Sequence, residues 1–227
     1  RRPVVPAIVR TNPVSKVAVL ASGGLDSCVL LYDLASQHDV IPLYIEQGLA
    51  WEGEEHKALE RFVQSIDHPR ISAPVTLPFP ITQLYGSHWS VTGVGVPTAD
   101  EPDEKVFLPA RNVLLFSAAA IWCHANAVHA IAVGSLDHNP FPDATPEFFA
   151  DLARLLSTAL SHSISILTPF RHATKQEVIQ RFQHLPLALT LTCNAPQDGL
   201  HCGQCNKCFE RQQAFKKAGV QDQTHYA

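Results

Sequence analysis

The chain has 227 residues, which suits one large domain or one domain with a small appendage. Hydrophobic residues make up 46% of the chain and charged residues 17%, and 17 basic against 21 acidic side chains leave a formal net charge of −4. This balance argues against non-specific binding to nucleic acid or to an anionic membrane, because both require a basic face. No apolar run approaches the roughly 18 residues that span a bilayer, and no signal-peptide pattern opens the chain. We therefore expect a cytoplasmic protein.

Apolar runs alternate with amphipathic segments along most of the chain. Residues 16–21 form a continuous apolar run typical of a strand buried on both faces, and helix spacing follows over residues 25–36. Further strands are predicted at residues 40–45, 71–79, 129–134 and 164–167. Further helices are predicted at residues 52–66, 112–127, 145–161, 174–184 and 205–218. This alternation predicts an α/β fold, a Rossmann-like, doubly wound parallel sheet. Ligands of such sheets bind at the carboxyl ends of strands, near the reversal of strand order.

The same pattern divides the chain into three parts. Residues 1–15 hold three prolines and little periodicity, which predicts a loose arm. Residues 16–190 form the α/β domain, and residues 191–227 form a cysteine-bearing C-terminal segment. Residues 80–105 carry few regular signals, and loops of this length are usually functional or mobile. We therefore expect that stretch to close over a site as a lid.

The turn between the first strand and the first helix reads A-S-G-G-L-D-S, from Ala21 to Ser27. Two consecutive glycines let the backbone turn sharply and bring N–H groups close to an anion. The helix that follows adds its N-terminal dipole, and Ser22 and Ser27 offer hydroxyl groups to phosphate oxygens. The segment is neither a Walker A loop nor the G-x-G-x-x-G dinucleotide fingerprint. An ordinary tight turn with Ser22 as the helix N-cap is the alternative.

This turn resembles the PP-loop of the N-type ATP pyrophosphatases, which split ATP to AMP and pyrophosphate. The resemblance implies a domain of the adenine nucleotide alpha-hydrolase type, in which the loop binds the β- and γ-phosphates and Mg²⁺ neutralises the departing pyrophosphate. The implied ATP-binding residues are Ala21, Ser22, Gly23, Gly24, Leu25, Asp26 and Ser27. Asp26 is also a candidate catalytic residue, which either caps the turn or helps to hold Mg²⁺.

Four of the six cysteines lie within sixteen residues: Cys193, Cys202, Cys205 and Cys208. Spacings of two residues let neighbouring thiolates converge on one ion, and a complete shell of four thiolates leaves no open position. We therefore predict a structural Zn²⁺ site, with an iron–sulfur cluster and a redox-active C-x-x-C pair as alternatives. The other two cysteines, Cys28 and Cys123, lie in apolar segments and are interpreted as core residues.

Four further segments resemble one family. Residues 201–211 read H-C-G-Q-C-N-K-C-F-E-R, which resembles the C-terminal motif of the 7-cyano-7-deazaguanine synthases. Residues 108–112 (L-P-A-R-N), 141–148 (F-P-D-A-T-P-E-F) and 174–177 (T-K-Q-E) resemble other segments of that family, in the same order. The resemblance runs from about residue 16 to residue 222, and it implies a PP-loop domain followed by a zinc-binding helical segment.

Members of that family are ATP-dependent carbon–nitrogen ligases of queuosine biosynthesis. The resemblance therefore implies ATP with Mg²⁺, ammonia and a 7-deazapurine carboxylate as partners, and no direct contact with nucleic acid or membrane. The carboxylate of 7-carboxy-7-deazaguanine is adenylated first, because it cannot expel oxide at neutral pH, and ammonia then displaces AMP to give an amide. A second activation, of the amide oxygen, allows dehydration to the nitrile. Each step needs shielding from water, since an acyl-adenylate hydrolyses easily.

The resemblance also assigns roles to residues beyond the loop. Arg111 is implied to hold the substrate carboxylate or a phosphate, and Lys175 to stabilise pyrophosphate; a surface ion pair and a solvated helix position are the alternatives. Both are candidate catalytic residues. The candidate substrate-binding residues are Arg111, Asn112, Asp137, Asp143, Glu147 and Phe148. A helix cap is the alternative for Asn112, a first-turn helix acid for Glu147, and a core aromatic for Phe148.

Three segments depart from the family. Residues 137–139 read D-H-N in place of a D-Y-S-like run. Residues 45–55 read I-E-Q-G-L-A-W-E-G-E-E where the family shows a Y-G-Q-x-H-x-x-E-like run, and residues 143–145 read D-A-T in place of D-C-R. The ATP and zinc portions are therefore closer to the family than the substrate portion. Alternatives are another PP-loop enzyme, such as a tRNA thiolase or an amide-forming ligase with a different substrate, and a non-catalytic zinc-stabilised binding module. Relatives commonly pair, so a homodimer is compatible with the resemblance.

Overall fold

The computed structural model describes residues 15–137 and 139–227, and within them five parallel strands form one sheet. The strands are β1 Lys16–Leu20, β2 Asp39–Glu46, β3 Val75–Pro78, β4 Ala130–Ala132 and β5 Ser165–Leu167. Their order is β3-β2-β1-β4-β5, and Ala18 pairs with Ile41 on one side and with Ile131 on the other. The predicted parallel sheet is confirmed. The predicted arm at residues 1–15 lies outside the described residues, apart from its last residue.

Helices connect the strands and cover the sheet. Within the described ranges they are α1 Leu25–Ala35, α2 Glu52–Ile66, α3 Thr82–Tyr85, α4 Trp89–Thr92, α5 Arg111–Ala125, α6 Pro146–Leu160, α7 Lys175–Arg181 and α8 Asn206–Ala218. Short 3-10 turns lie at Asp103–Val106, Pro142–Ala144 and Leu187–Leu189. In this part of the chain, no helix combines the length and apolar character that crossing a membrane requires.

The sheet separates two hydrophobic cores, because successive side chains of a strand point to opposite faces. On β1, Val17 and Val19 pack in a core with side chains of α1, α2, α7 and α8, including the ring of Phe62. Ala18 of the same strand points to the other core, where α5 and α6 contribute Phe116 and their neighbours. Helices therefore cover both faces, which confirms the doubly wound architecture.

Four predicted strands are shorter in the structure, and for β1 and β5 the difference is a single residue. The strand predicted at residues 71–79 is reduced to β3, since Pro74 lacks the N–H that a ladder needs and Ile71 forms only an isolated bridge to Val40. The strand predicted at residues 129–134 is reduced to β4. The long segment 80–105 contains α3, α4 and one 3-10 turn rather than an unstructured loop.

Strand order reverses between β1 and β4, and the loops that follow these two strands lie against each other. A Cβ on Gly134, just after β4, would lie 3.0 Å from the carbonyl carbon of Asp26. On the other side, a Cβ on Gly23 would lie 2.3 Å from the carbonyl oxygen of Glu55 in α2. The turn after β1 is therefore fixed between two neighbours, at the edge of the sheet where ligands of this fold bind.

Gly23→Ala is expected to destabilise the protein by about 2 kcal/mol. Gly23 has a φ of +77°, which disfavours any side chain, and the added methyl group meets backbone that cannot rotate away. The matched control is Gly53→Ala in α2, where a Cβ meets nothing within 4 Å. That substitution is expected to be neutral or stabilising by a few tenths of a kcal/mol. Urea unfolding of both variants measures the difference, and equal stabilities would contradict the close approach at Gly23.

Candidate functional site

A cleft of about 310 Å³ opens at the carboxyl ends of β1, β2 and β4. One part of its wall comes from the glycine turn after β1, residues 191–194 and Lys207 of α8. Another part comes from the end of β2, Glu55 of α2 and the start of α5. The sequence-predicted residues that line it are Ala21, Ser22, Gly24, Leu25, Asp26, Ser27, Arg111, Asn112 and Cys193. The fold thus brings the loop and the start of α5 into one cavity, although they are far apart in the chain.

The serine hydroxyls of the turn hold its shape. Gly24 N–H donates to Ser22 Oγ at 3.3 Å, Ser22 N–H donates to Ser27 Oγ at 3.2 Å, and Ser27 Oγ donates to the Gly24 carbonyl at 3.1 Å. The N-cap of α1 is Gly24, so the alternative in which Ser22 caps the helix is wrong. Within the described residues no side chain caps α1. Its first-turn N–H groups are therefore available to an anion in the cleft.

Beside the loop, four side chains of alternating charge form a row, here called the ion row: Asp26, Lys175, Glu210 and Lys207. Lys175 Nζ lies 3.2 Å from Asp26 Oδ2 and 2.5 Å from Glu210 Oε1. Lys207 Nζ lies 2.7 Å from Glu210 Oε2. Burial alone would lower the pKa of Lys175, but the carboxylates of Asp26 and Glu210 raise it above its usual value. Lys175 is therefore a charged link between the loop and α8, and its side chain is only 11% exposed.

The two carboxylate oxygens of Asp26 have different surroundings. Oδ2 faces Lys175, whereas Oδ1 is buried and has no hydrogen-bond partner among the described residues. Burial raises the pKa of Asp26, and the charge of Lys175 opposes that rise. A buried oxygen without a partner is costly. This atom is therefore suited to a cation or a donor that arrives with a ligand.

Arg111 begins α5 on the opposite wall. Its Nε donates to Gln47 Oε1 at 2.9 Å, and Gln47 is completely buried. The N–H groups of Gln47 and Gly48 donate in turn to the two carboxylate oxygens of Glu52, at 2.5 and 2.6 Å. Gln47 therefore fixes the guanidinium plane. The terminal nitrogens of Arg111 form no hydrogen bond with the described residues, which leaves them for a carboxylate or phosphate.

Glu55 is a cleft residue that the sequence analysis missed. It belongs to α2, lines the cleft, and lies with Oε2 3.5 Å from the hydroxyl of Tyr44. Burial raises the pKa of Glu55 to about 8, although the charge of Arg111 works in the opposite direction. The same helix contains three other acids, Glu52, Glu54 and Glu60, so the sequence alone offered no signal that separates Glu55 from them. Its carboxyl group can hold a proton near neutral pH, which suits acid–base chemistry.

Asn112 and Asp143 hold each other in place. Asn112 N–H donates to Asp143 Oδ2 at 3.1 Å, and Asn112 Nδ2 donates to the Asp143 carbonyl at 2.7 Å. Asp143 is buried and does not line the cleft, whereas Asn112 does. The carboxylate of Asp143 therefore satisfies a first-turn N–H of α5, and it positions the wall that Asn112 and Arg111 share.

The other predicted substrate residues lie outside the cleft lining. Glu147 is an exposed acid in the first turn of α6, and Phe148 is half-buried against the neighbouring ring of Phe149. The side chain that lines the cleft is Phe149. Asp137 N–H donates to the Ala173 carbonyl at 3.1 Å, beyond the cleft. Their roles toward a substrate stay predictions.

The four clustered cysteines converge as the spacing predicts. Their Sγ atoms all lie within 4.8 Å of one another and are buried. The pairs Cys193–Cys205 and Cys202–Cys208 are each 3.9 Å apart. Four sulfurs around one zinc ion at about 2.3 Å stand about 3.8 Å apart, so the cluster fits a tetrahedral ion. His201 is not needed as a ligand, because its Nε2 accepts the N–H of Thr192 at 3.0 Å.

The cysteine cluster is joined to the glycine loop. Leu191, two residues before the first cysteine, donates its N–H to the carbonyl oxygen of Gly23 at 2.8 Å. The cluster also packs against Ala58 of α2. Arg211 of α8 is 1% exposed and donates to the Leu187 carbonyl and to the hydroxyls of Thr190, Thr192 and Thr224. This network holds residues 187–194 in place as one wall of the cleft.

The segment 80–105 packs beside the cleft, and the described residues of this segment do not line it. Trp89 stacks on Trp51 with ring centroids 5.5 Å apart, and the carbonyl of Ser90 accepts the N–H of Ala50 at 2.8 Å. The Pro97 carbonyl accepts the N–H of Asn206 at the start of α8. The segment is thus anchored at both ends of the site, and its closure as a lid stays a prediction.

Comparisons with known proteins agree with this architecture. The family model for queuosine biosynthesis protein QueC matches residues 16–219. A 7-cyano-7-deazaguanine synthase of Solidesulfovibrio magneticus is 30% identical over 95% of this chain and 97% of its own length. A synthase of the same name from Syntrophobacter fumaroxidans is 31% identical over 93% of this chain and 96% of its own length.

The fold itself is shared with a more distant solved structure. A U34-tRNA thiolase, NcsA from Methanococcus maripaludis with its [4Fe-4S] cluster, aligns with a TM-score of 0.51 at 14% identity. The alignment covers 90% of this chain and 67% of the thiolase. At this identity the likeness shows a common PP-loop fold and nothing about substrate or metal.

Glu55→Gln is expected to remove a pH dependence of stability. Because the pKa of Glu55 is raised from 4.5 to about 8 in the folded protein, the folded state holds this proton more tightly than the unfolded chain does. Wild-type stability therefore falls, relative to the variant, as pH rises from about 5 to above 8. Thermal unfolding at both pH values is expected to show the variant gaining at least about 2 °C on wild type at the higher pH. A pH-independent difference would contradict the shifted carboxyl group.

Proposed function

The chain belongs to the family of queuosine biosynthesis protein QueC, and we propose that it is an ATP-dependent ligase that converts 7-carboxy-7-deazaguanine to its nitrile with ammonia. The observation that carries this proposal is the cleft, in which an uncapped glycine loop and a fixed arginine lie on facing walls. The name shared by the curated relatives supports the choice of substrate.

The glycine loop and the N-terminus of α1 bind the β- and γ-phosphates of ATP. Free N–H groups and the helix dipole both favour anions at this position. Mg²⁺ accompanies the nucleotide and neutralises the departing pyrophosphate. Asp26 Oδ1, which has no partner among the described residues, is an oxygen of the type that Mg²⁺ prefers. The α-phosphorus is then left facing the remainder of the cleft.

The substrate acid binds with its carboxylate at Arg111. One carboxylate oxygen attacks the α-phosphorus of ATP, the bond to pyrophosphate breaks, and an acyl-adenylate forms. Ammonia attacks the acyl carbon and AMP leaves, which gives the amide. A second ATP activates the amide oxygen in the same way as the nitrogen loses one proton, and loss of AMP with the second N–H proton gives the nitrile. Glu55 lies in the same cleft and is suited to accept the proton that ammonium loses.

A tRNA thiolase is less well supported, because a thiolase needs a reactive cysteine at the ATP site. Cys28 follows the loop but is completely buried, and burial raises its pKa. Within the described part of the chain, Cys193 is the cysteine that lines the cleft, and it belongs to the four-cysteine cluster. Both thiols are therefore poorly suited to sulfur transfer.

The four-cysteine cluster holds a structural zinc ion in this proposal. Four buried sulfurs that lie within 4.8 Å of one another match the size of a single tetrahedral ion. A four-iron cluster binds each cysteine to a different iron, so its sulfurs must stand farther apart than around one shared ion. A complete shell of four thiolates leaves the ion no open position. Its contribution is therefore to order the segment around residues 191–208.

The test is incubation with ATP, Mg²⁺, ammonium and 7-carboxy-7-deazaguanine, followed by mass spectrometry. We expect the nitrile, with two AMP and two pyrophosphate per nitrile, since each oxygen departs as AMP. Arg111→Ala is expected to raise the KM for the acid by at least about tenfold, the loss of about 1.4 kcal/mol of binding. The KM for ATP is expected to change little. AMP formation with a different acid alone would replace the proposed substrate, and no AMP with any acid would refute the ligase.

Metal analysis tests the zinc assignment. The purified protein is expected to hold one zinc per chain and to lack the visible absorption of an iron–sulfur cluster. Cys205→Ser is expected to lower zinc content and thermal stability together, because metal binding contributes to folding, whereas Cys123→Ser keeps the zinc. Stoichiometric iron in protein prepared without oxygen would contradict the assignment.

A further inference from the structure

A lysine of the cysteine cluster lies on the wall of the cleft. Lys207 stands between Cys205 and Cys208 in the first turn of α8, and it lines the same cavity as Ser22, Gly24 and Asp26. Among the described residues that line this cavity, the lysines and arginines are Arg111 and Lys207. Arg111 starts the opposite wall, so Lys207 is the cation on the side of the loop.

The two lysines of the ion row differ in the number of carboxylates that they contact and in their position relative to the cleft. Lys175 lies between the carboxylates of Asp26 and Glu210, and it does not line the cleft. Its charge is therefore already matched by two anions. Among the described residues, the ion-pair partner of Lys207 is the second oxygen of Glu210, and the Lys207 side chain is 27% exposed. The charge of Lys207 also opposes the rise in the pKa of Asp26 that burial causes. The ammonium of Lys207 therefore acts electrostatically on the loop.

We propose that Lys207, rather than Lys175, is the side chain that contacts the terminal phosphates of ATP, and that the cysteine-bound metal holds it there. The inference rests on the proposed use of ATP in this cleft. A glycine loop of this type carries no lysine of its own, so the ammonium arrives from the far end of the chain. Two metal ligands flank Lys207 and fix the backbone of its turn. Glu210 orients the ammonium, and Lys175 fixes Glu210 to the loop.

The proposed contact between Lys207 and ATP is electrostatic. It therefore depends on the negative charge of the β- and γ-phosphates, which AMP lacks. Oxygens of the β- and γ-phosphates carry most of the negative charge of ATP, and a lysine ammonium binds them as a point charge. The ribose, the base and the α-phosphate need no contact with Lys207. Removing the charge is thus expected to weaken ATP binding while leaving AMP binding unchanged.

Equilibrium binding to the zinc-loaded full chain tests the proposal, with Mg²⁺ and an ATP analogue whose α,β-bridge is a methylene group. Lys207→Gln is expected to weaken binding of the analogue by about tenfold, or about 1.4 kcal/mol. Lys207→Arg is expected to keep binding within about threefold. The matched control is Lys217→Gln, an exposed lysine near the other end of α8, and it is expected to bind as wild type does. Zinc content and thermal unfolding are measured for each variant.

The outcomes separate this inference from the proposed function. Unchanged binding of the analogue by Lys207→Gln, or an equal loss for AMP and the analogue, overturns the role of Lys207. If wild type also makes the nitrile, the proposed function stands alone. If Lys207→Gln loses the analogue selectively but wild type makes no nitrile from any acid, the phosphate contact stands and the ligase fails. Absence of analogue binding by wild type overturns both.

Discussion

The hydrogen bond from Leu191 N–H to the carbonyl oxygen of Gly23 joins the loop after β1 to the segment that carries the cysteines. It forms only because Gly23 has a positive φ and no side chain between the turn and α2. The loop is therefore held by two elements, α2 on one side and the C-terminal segment on the other. The uncapped start of α1, the ion row and the wall of residues 191–194 all depend on this arrangement for their relative positions.

The charged side chains of the site lie on two sides of the cleft, one of which includes the loop that Leu191 holds. The loop side carries Asp26 and two lysines, with Glu210 shared between them. The opposite side carries Arg111, which Gln47 and Glu52 orient through buried hydrogen bonds. Glu55 lies between the two sides with a raised pKa. This arrangement supports the proposed function, in which a charged nucleotide and a charged acid share one cavity and each meets a cation on its own side.

Arrangements that lie within a short segment of the chain were predictable from the sequence. The glycine turn and the four cysteines each lie within a short segment, so their spacing alone predicts how they converge. The strand–helix alternation likewise predicts the sheet, because side-chain periodicity follows from backbone geometry. Several predicted bounds differed by a residue or more, and the largest strand differences lie near Pro74, where an N–H is missing, and at β4.

Residues that meet through the fold were harder to predict. Glu55 looks like any acid of an amphipathic helix, and its burial depends on Tyr44 and Arg111, which come from other elements. Phe148 and Phe149 differ by one residue, about 100° around α6, and a motif does not fix which of them faces the cleft. Lys207 lies between two of the clustered cysteines in the sequence, and the cysteine spacing does not indicate that its side chain lines the cleft.

The two walls of the cleft come from separate stretches of polypeptide. Residues 21–27 and 191–210 supply the side with the glycine loop, whereas the side with Arg111 is assembled from residues 44–55, 111–115 and 144–149. The hydrogen bonds within the glycine loop and the ion pairs of the ion row involve no residue of the second set. Under the proposed function, substitutions in the second set can therefore change which organic acid is accepted, while the residues that bind the phosphates of ATP stay the same.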